Sequence, residues 1–145
     1  MASLPHTYIA NTTGTPDTHL VSTLETGLTL EVAPPANFGG PGDTWTPEEM
    51  LLGSLANCLA LTFKAIARSA RLEWVEIHCQ SQGELDKTDG GVKFTRVETR
   101  VRLVLPDGGD REKAEKLLEK TEDNCFISNT LNCDKQFSFD LVIQP

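Results

Sequence analysis

Residues 46–70 read TPEEMLLGSLANCLALTFKAIARSA, and this stretch decides the fold of the 145-residue chain. It opens with three signals of a helix N-terminus: Thr46 suits the N-cap, the following proline suits the first helical position, and the glutamate three residues on completes a capping box. The stretch is then apolar on nearly every face, which is typical of a buried helix. The sequence therefore predicts a central, buried helix with Cys58 in its middle.

The composition favours one globular and acidic domain. A chain of 145 residues is long enough to bury its own core, and we expect a single domain over residues 1–145. Acidic residues outnumber basic ones 21 to 13, and no Arg or Lys precedes Lys64. This balance argues against a nucleic-acid partner, because binding to phosphate backbones requires clustered Lys and Arg.

The sequence also predicts a cytoplasmic protein with no membrane partner. Lys64 and Arg68 interrupt the apolar helix, and the N-terminal residues show neither the basic nor the apolar region of a signal peptide. The four cysteines, at positions 58, 79, 125 and 133, are then expected to be reduced thiols. There is no CxxC motif and the histidines are scattered, so we expect no metal site.

The remaining periodicity predicts an α+β domain with mostly antiparallel sheet. Alternating apolar residues and turn signals predict the other elements in the following order. They are two or three strands within Tyr8–Val32, a Pro/Gly loop over 33–43, a long hairpin with arms Leu72–Leu85 and Val92–Leu105, a helix over Asp110–Lys120, a short helix or turn over Cys125–Leu131 and a closing strand over Gln136–Ile143.

Cys58 and Cys125 are the candidate reactive residues. Cys125 follows Asp123 and Asn124, either of which could cap a helix that starts at the cysteine. A thiol in a first helical turn faces unpaired N–H groups and the positive end of the helix dipole, which favours the thiolate. Buried free cysteines are nevertheless common, so the residues alone leave packing and chemistry both open.

Two segments resemble the signatures of the OsmC/Ohr family, the osmotically inducible and organic hydroperoxide resistance proteins. PEEMLLGSLANC, residues 47–58, resembles the first signature, in which a Pro-Glu-x-Leu/Met-Leu motif leads to a cysteine ten residues after the glutamate. CFISN, residues 125–129, resembles the second signature, Cys-Pro-x-Ser-Asn. The long hairpin and closing strand also fit, so the resemblance covers essentially the whole chain. Cys79 and Cys133 match neither signature and are interpreted as packing residues.

The resemblance implies an OsmC-like fold, with mostly antiparallel sheets around a long buried helix, in an intertwined homodimer. It also implies a cofactor-free thiol peroxidase that reduces organic hydroperoxides in oxidative-stress defence. Cys58 would attack the peroxide and become a sulfenic acid, and Cys125 would resolve it to a disulfide. Glu48 matches the family glutamate that holds a catalytic arginine. The reducing partner implied is a dithiol of the lipoyl type.

Glu48 and Cys58 cannot share one small site within a single continuous helix. Ten helical residues separate them, a span of roughly 15 Å. Either the helix breaks near Gly53-Ser54, or Glu48 serves the site of the partner subunit. A third interpretation is that Glu48 only complements the helix dipole.

The sequence departs from the family pattern at two points. The family arginine of the N-terminal strands is missing, and the nearest polar candidate there is His19, an imidazole charged only part of the time at neutral pH. The hairpin arginines Arg96, Arg100 and Arg102 share one face and could either stand in for it or cover a solvated sheet. The second departure is Phe126, which replaces the proline of the second signature.

These departures support an alternative function. The chain would keep the OsmC-like fold but lack efficient peroxidase activity, and would bind an apolar small molecule or act as a redox sensor at the dimer interface. A purely structural dimer, in which both cysteines are core residues, is a third interpretation that the sequence leaves open.

Overall fold

A computed structural model describes residues 3–145, and the first two residues lie outside the described part. The described residues form two compact units, one that ends at Leu51 and one that runs from Leu52 to Pro145. The predicted α+β class is confirmed, because residues 3–145 form two three-stranded sheets and three α-helices. The single domain over residues 1–145 stays a prediction.

The first unit contains a small antiparallel sheet of β1 (Asn11–Thr13), β2 (Leu20–Thr23) and β3 (Thr29–Val32), in that order. A 3-10 turn over Ala36–Phe38 lies in the predicted Pro/Gly loop. Much of the apolar surface of this unit is exposed in the single chain. The exposed residues include Leu20, Val21, Leu24, Leu28 and Leu30, of which Leu28 is 69% exposed.

The long helix α1 spans Pro47–Ala70 and begins as the sequence predicts. Thr46 Oγ1 accepts a hydrogen bond from the Glu49 backbone N–H at 3.1 Å and donates one to Glu49 Oε1 at 3.0 Å. The helix is uninterrupted to its end, where Arg71 takes a left-handed backbone conformation with φ 57°. Such a residue lets the chain turn away from the last carbonyls of a helix.

The prediction that α1 is buried on nearly every face is wrong for the single chain. Only one stripe is buried, formed by Leu55, Leu59, Phe63 and Ala67, which recur at helical spacing. On another face Leu61 is 62% exposed. A helix that is apolar all round but covered on one stripe leaves apolar surface for a further partner.

Among residues 3–145, α1 is also the one helix that is long and apolar enough, by length and composition, to cross a membrane. A core helix passes the same test, so this finding is weak evidence for a membrane span.

The second unit is built on a sheet of β4 (Glu76–Thr88), β5 (Gly91–Leu105) and β6 (Asp134–Ile143). The predicted long hairpin is confirmed as the antiparallel β4–β5 pair, although β4 starts later than predicted. The closing strand β6 runs parallel to β5, whereas the other three strand pairings of the two sheets are antiparallel. The mostly antiparallel prediction therefore holds, with one parallel pair.

A β-bulge places Phe94 on the inner face of this sheet. The register steps from Glu84 opposite Arg96 to Leu85 opposite Phe94, which leaves Thr95 unopposed and reverses the alternation. The Phe94 ring then packs over Gly83, where a Cβ atom would lie 2.8 Å from Phe94 Cδ1. Only a glycine fits beneath the ring at this position.

The helix α2 (Arg111–Asn124) is longer than the predicted Asp110–Lys120 segment. Asp110 is its N-cap and accepts a hydrogen bond from the Lys113 N–H at 3.0 Å. In the extra turn Thr121 is 1% exposed, and its hydroxyl donates to the Leu117 carbonyl at 2.8 Å. The short helix α3 (Phe126–Thr130) follows at once.

The main core of the second unit lies between its sheet, the C-terminal half of α1 and α2. Phe63 and Leu118 are both fully buried in it, and the ring of Phe63 meets that of Trp74 edge to face at 5.6 Å. The predicted inward residues of β6 belong to this core: Phe137, Phe139, Leu141 and Ile143. This packing fixes the middle of α1 against the sheet, where Cys58 lies.

Candidate functional site

The structure brings Cys58 and Cys125 together. Cys58 lies in the middle of α1, and Cys125 is the one residue between α2 and α3. Both pack on a cluster formed with Leu55, Leu59 and Val97, where Cys125 is fully buried and Cys58 is partly exposed. All four cysteines are free thiols. The sequence separation of 67 residues is thus closed by tertiary packing alone.

Cys125 itself caps α3. Its Sγ accepts a hydrogen bond from the Ser128 backbone N–H at 3.5 Å, and its carbonyl accepts one from the Asn129 N–H at 2.9 Å. The prediction that Asp123 or Asn124 caps this helix is wrong. Because α2 continues through Asn124, only Cys125 remains to begin the next helix.

The surroundings of Cys58 favour its thiolate. Burial raises the pKa of Cys58, but four hydrogen-bond donors outweigh burial and lower the pKa below its ordinary value. In order of effect, these donors are the Ile127 backbone N–H, the Cys125 thiol, the Thr62 hydroxyl and the Phe126 backbone N–H. The Thr62 hydroxyl is on the next helical turn, with its Oγ1 4.0 Å from Cys58 Sγ.

The expectation of a thiolate at Cys125 is wrong. Burial raises the pKa of Cys125 to about 11, and the neighbouring Cys58 raises it further through its charge and hydrogen bond. The N–H groups of Ser128 and Ile127 lower this pKa but do not compensate for burial. The α3 donors therefore stabilise a thiolate on Cys58, while Cys125 remains a protonated thiol that donates to it.

Cys79 and Cys133 pack against the same cluster as the other two cysteines, in agreement with their interpretation as packing residues. Burial raises the pKa of Cys79 to about 11, and the nearby Cys125 adds to the effect. Within residues 3–145, no group of three or more His, Cys, Asp or Glu side chains is arranged to hold a metal ion.

Glu48 is not brought next to Cys58 along their helix. Because α1 runs through Gly53-Ser54 without a break, ten helical residues still separate the two, and of the interpretations left open by the sequence the helix break is excluded. Glu48 Oε1 is buried and has no hydrogen-bond partner among the described residues. A buried carboxylate oxygen without a hydrogen bond is costly, and complementing the helix dipole does not require such burial.

The structure places none of the cations that could replace the family arginine in contact with the Cys58 or Cys125 thiol. His19 Nε2 lies 4.0 Å from Glu31 Oε1 on the first sheet. Arg96, Arg100 and Arg102 are exposed on the sheet face opposite to the inward residues, and Arg100 Nε donates to a neighbouring glutamate at 3.1 Å. These arginines cover a solvated face. None of the groups that lower the pKa of Cys58 is a cation.

Several residues of this site escape prediction from the sequence. The spacing of Thr62, one helical turn after Cys58, was a usable signal. No local signal identifies the backbone donors of Phe126 and Ile127. The pattern around residue 125 indicates that a helix starts there, but not which side chain its first N–H groups face. Lys135, which donates to two carbonyls at the end of α3, gives no local signal either.

Known proteins resemble this chain over most of its length. The uncharacterized protein YmaD of Bacillus subtilis is 28% identical over 128 residues, which cover 86% of this chain and 85% of that protein. Among solved structures, an OsmC-like protein of unknown function from Vibrio cholerae aligns with a TM-score of 0.82 at 18% identity, covering 95% of this chain and 100% of the other. An organic hydroperoxide resistance protein OsmC from Legionella pneumophila aligns with a TM-score of 0.77 at 24% identity, covering 95% and 99%.

The structural similarities confirm the predicted OsmC-like fold. The sequence match is independent of these structures, since residues 40–140 fit the OsmC family of OsmC-like proteins. The matched segment contains both cysteines of the site and most of the second unit. This chain therefore belongs to the OsmC-like protein family.

Proposed function

We propose that this protein is a cysteine-based thiol peroxidase that reduces organic hydroperoxides in oxidative-stress defence. The observation that carries the proposal is the pairing of a Cys58 thiol whose pKa is lowered with a protonated Cys125 thiol beside it. A reactive thiolate next to a resolving thiol is the arrangement that peroxide reduction through a disulfide requires. The Legionella pneumophila relative named as an organic hydroperoxide resistance protein supports the substrate class.

In the first step the Cys58 thiolate attacks the terminal oxygen of the hydroperoxide. The S–O bond forms as the O–O bond breaks, so Cys58 becomes a sulfenic acid and the alkoxide leaves and takes up a proton as the alcohol. The donors of Thr62, Phe126 and Ile127 lower the pKa of Cys58 without a cation. This arrangement is a substitute for the missing family arginine in holding the thiolate.

In the second step Cys125 attacks the sulfenic sulfur of Cys58. The S–S bond forms, the S–O bond breaks, and the thiol proton of Cys125 leaves with the hydroxide as water. Oxidation of Cys58 removes the negative charge that helps to raise the pKa of Cys125. Cys125 is thus kept protonated before the peroxide reacts and becomes easier to deprotonate afterwards.

A dithiol closes the cycle. Two thiols of the reductant exchange with the Cys58–Cys125 disulfide, which returns both cysteines to the thiol form and oxidises the reductant to its own disulfide. We propose a reductant of the lipoyl type and a cytoplasmic location, where such dithiols keep protein thiols reduced.

We further propose that the site works within a homodimer. The exposed apolar residues of the first unit and of α1 give the surface that a second copy would cover, as Leu28 and Leu61 illustrate at 69% and 62% exposed. In such a dimer Glu48 would serve the site of the partner subunit, as the resemblance to the family implies. Sedimentation should therefore show a dimer.

Titration with a bulky organic hydroperoxide tests the activity. The intact mass of the reduced protein should fall by two hydrogens as the Cys58–Cys125 disulfide forms at micromolar peroxide, with consumption of one equivalent. Cys58→Ser should abolish both signals, whereas Cys133→Ser, which removes another thiol from the same cluster, should keep them. Peroxide consumption retained in Cys58→Ser would contradict the proposal.

A second candidate function is binding without efficient turnover, of an apolar small molecule or of a redox signal. Two observations favour it: no Arg or Lys precedes Lys64, and Phe126, next to Cys125, exposes 78% of its surface. An exposed aromatic ring of this kind suits an apolar ligand. Absence of the disulfide at micromolar peroxide, with a dimer that still folds, would favour this function over the peroxidase.

A further inference from the structure

Lys135 holds the C-terminal end of α3. It is the second residue of β6, and its Nζ donates to the Ser128 carbonyl and to the Leu131 carbonyl, the latter at 2.8 Å. The last carbonyls of a helix lack intrahelical partners, and a lysine is well suited to satisfy them. The residues that end α3 are thus tied to a side chain from the sheet.

The sheet fixes the position of this lysine. Lys135 is opposite Val97 in the parallel β5–β6 pair. Val97 is 1% exposed and belongs to the same buried cluster as Cys125. The backbone of Lys135 is therefore paired with a buried strand of the site, and its side chain reaches α3.

A helix as short as α3 depends on such contacts. Its five residues are far fewer than an isolated helix requires, so it depends on bonds made to its ends by neighbouring groups. Towards α2 these are the N-cap bond from the Ser128 N–H to Cys125 Sγ at 3.5 Å and the bond from Asn129 Nδ2 to the Asp123 carbonyl at 3.4 Å, both long. At the C-terminal end they are the pair of charge-assisted bonds from Lys135, which are the stronger ones.

The orientation of α3 matters for Cys58. Ile127 packs against the same buried cluster as Cys58, and the N–H groups of Phe126 and Ile127, in the first turn of this helix, lower the pKa of Cys58. Hydrogen bonds weaken steeply as their angle falls, so a small rotation of α3 would withdraw both donors together. A residue that stops this rotation acts on the thiolate although it does not touch it.

We propose that Lys135 is a positioning residue for the Cys58 thiolate, which clamps the end of α3 so that the first-turn N–H groups stay directed at the sulfur. The inference rests on the proposed function for its biological meaning. Lys135 would then help to replace the missing arginine. It would lower the pKa of Cys58 through the backbone N–H groups of α3 and not through its own charge.

The test is the pH dependence of Cys58 alkylation in the full-length protein, followed by mass spectrometry of the Cys58 peptide. Lys135→Met removes both bonds, and alkylation of Cys58 at neutral pH should slow by about three- to tenfold as its titration midpoint rises. Lys135→Arg, which can still donate to two carbonyls, should restore most of the rate. A loss of folding stability alone would leave the midpoint of the folded protein unchanged.

Lys120→Met is the matched control. It removes the same charge from the end of α2, where the Lys120 ammonium group makes no hydrogen bond or ion pair within residues 3–145. The control should alkylate like the wild type. An unchanged midpoint in Lys135→Met, or an equal shift in Lys120→Met, would overturn the inference. If Lys135→Met does not fold, Lys135→Gln is the second variant. Its shorter side chain still carries an amide N–H donor, so the titration midpoint of Cys58 should rise by a smaller amount.

This readout separates the inference from the proposed function, because alkylation requires no peroxide. A shifted midpoint together with no peroxide consumption by the wild type would leave the positioning role intact and remove the peroxidase. If the wild type consumes peroxide but the Cys58 midpoint is unshifted in Lys135→Met, the peroxidase stands and the positioning role is overturned.

Discussion

The middle of α1 and the junction between α2 and α3 each present one cysteine. The two thiols are in contact, but their pKa values are shifted in opposite directions. Cys58, on the long helix, has its pKa lowered by donors that come mainly from α3. Cys125, at the helix start that supplies those donors, is fully buried and has its pKa raised to about 11. The N–H groups of a helix start therefore stabilise the sulfur at which they point, and here that is the sulfur of another helix.

The difference assigns the two chemical roles. Two titratable groups whose surroundings drive their pKa values apart form a natural acid–base pair, and the group with the lower pKa is the nucleophile. Partial exposure gives Cys58 access to a peroxide, whereas Cys125 is 0% exposed and can react only with a sulfur already beside it. Both differences point to the same order of reaction.

The largest expected effect is a loss of turnover, and its absence would contradict the roles assigned to the two cysteines. In Cys125→Ser the first step should remain, so Cys58 should form a sulfenic acid that a dimedone-type reagent traps, while multiple turnover falls by more than about a hundredfold. Turnover with a dithiol and mass spectrometry of the trapped adduct measure the two quantities. Wild-type turnover in this variant would show that Cys125 does not resolve the sulfenic acid.

The second prediction concerns the coupling between the two thiols. In Cys58→Ser the pKa of Cys125 should fall below about 11, because the charge of Cys58 no longer opposes its ionisation. It should remain above the ordinary thiol value, since burial is the largest cause of the shift. Alkylation of Cys125 against pH measures it. A pKa unchanged at about 11 would mean that the contact with Cys58 has no electrostatic effect.

The third prediction sharpens the description of Cys58. Thr62→Val keeps the shape of the side chain but removes the hydroxyl 4.0 Å from the sulfur. We expect Cys58 alkylation at neutral pH to slow by about two- to fivefold, a modest loss because the contact is long for a hydrogen bond. Thr62→Ser retains the hydroxyl and should behave like the wild type. A larger loss in Thr62→Ser than in Thr62→Val would assign the effect to packing.

The smallest effect is on stability at alkaline pH. Burial raises the pKa of Cys79 to about 11, so the folded protein holds this proton more tightly than the unfolded chain. The resulting stabilisation is fully present below the ordinary thiol pKa of about 8.5 and is lost as the pH rises through the folded-state value. In Cys79→Val the free energy of unfolding should fall less steeply over this range. Urea unfolding at a series of alkaline pH values measures the slope, and a slope equal to the wild type would contradict the pKa shift.

The fold could be predicted where its signals are local. The N-cap at Thr46, the alternation of the β4–β5 hairpin and the inward residues of β6 are confirmed, because capping and side-chain alternation are decided within a few residues. The longer α2 was not predicted, because Thr121, in its last turn, is buried by tertiary packing that no local signal indicates. The same holds for the bulge at Thr95, which depends on the opposite strand.

The family, the long helix and the two candidate cysteines can be read from the sequence, because signatures and periodicity are properties of consecutive residues. Tertiary packing determines which of the two cysteines has its pKa lowered. The donors at Phe126 and Ile127 lie almost 70 residues from Cys58 along the chain, and Lys135 lies further still. A pKa depends on the distance and direction of such groups in space, and packing alone sets both.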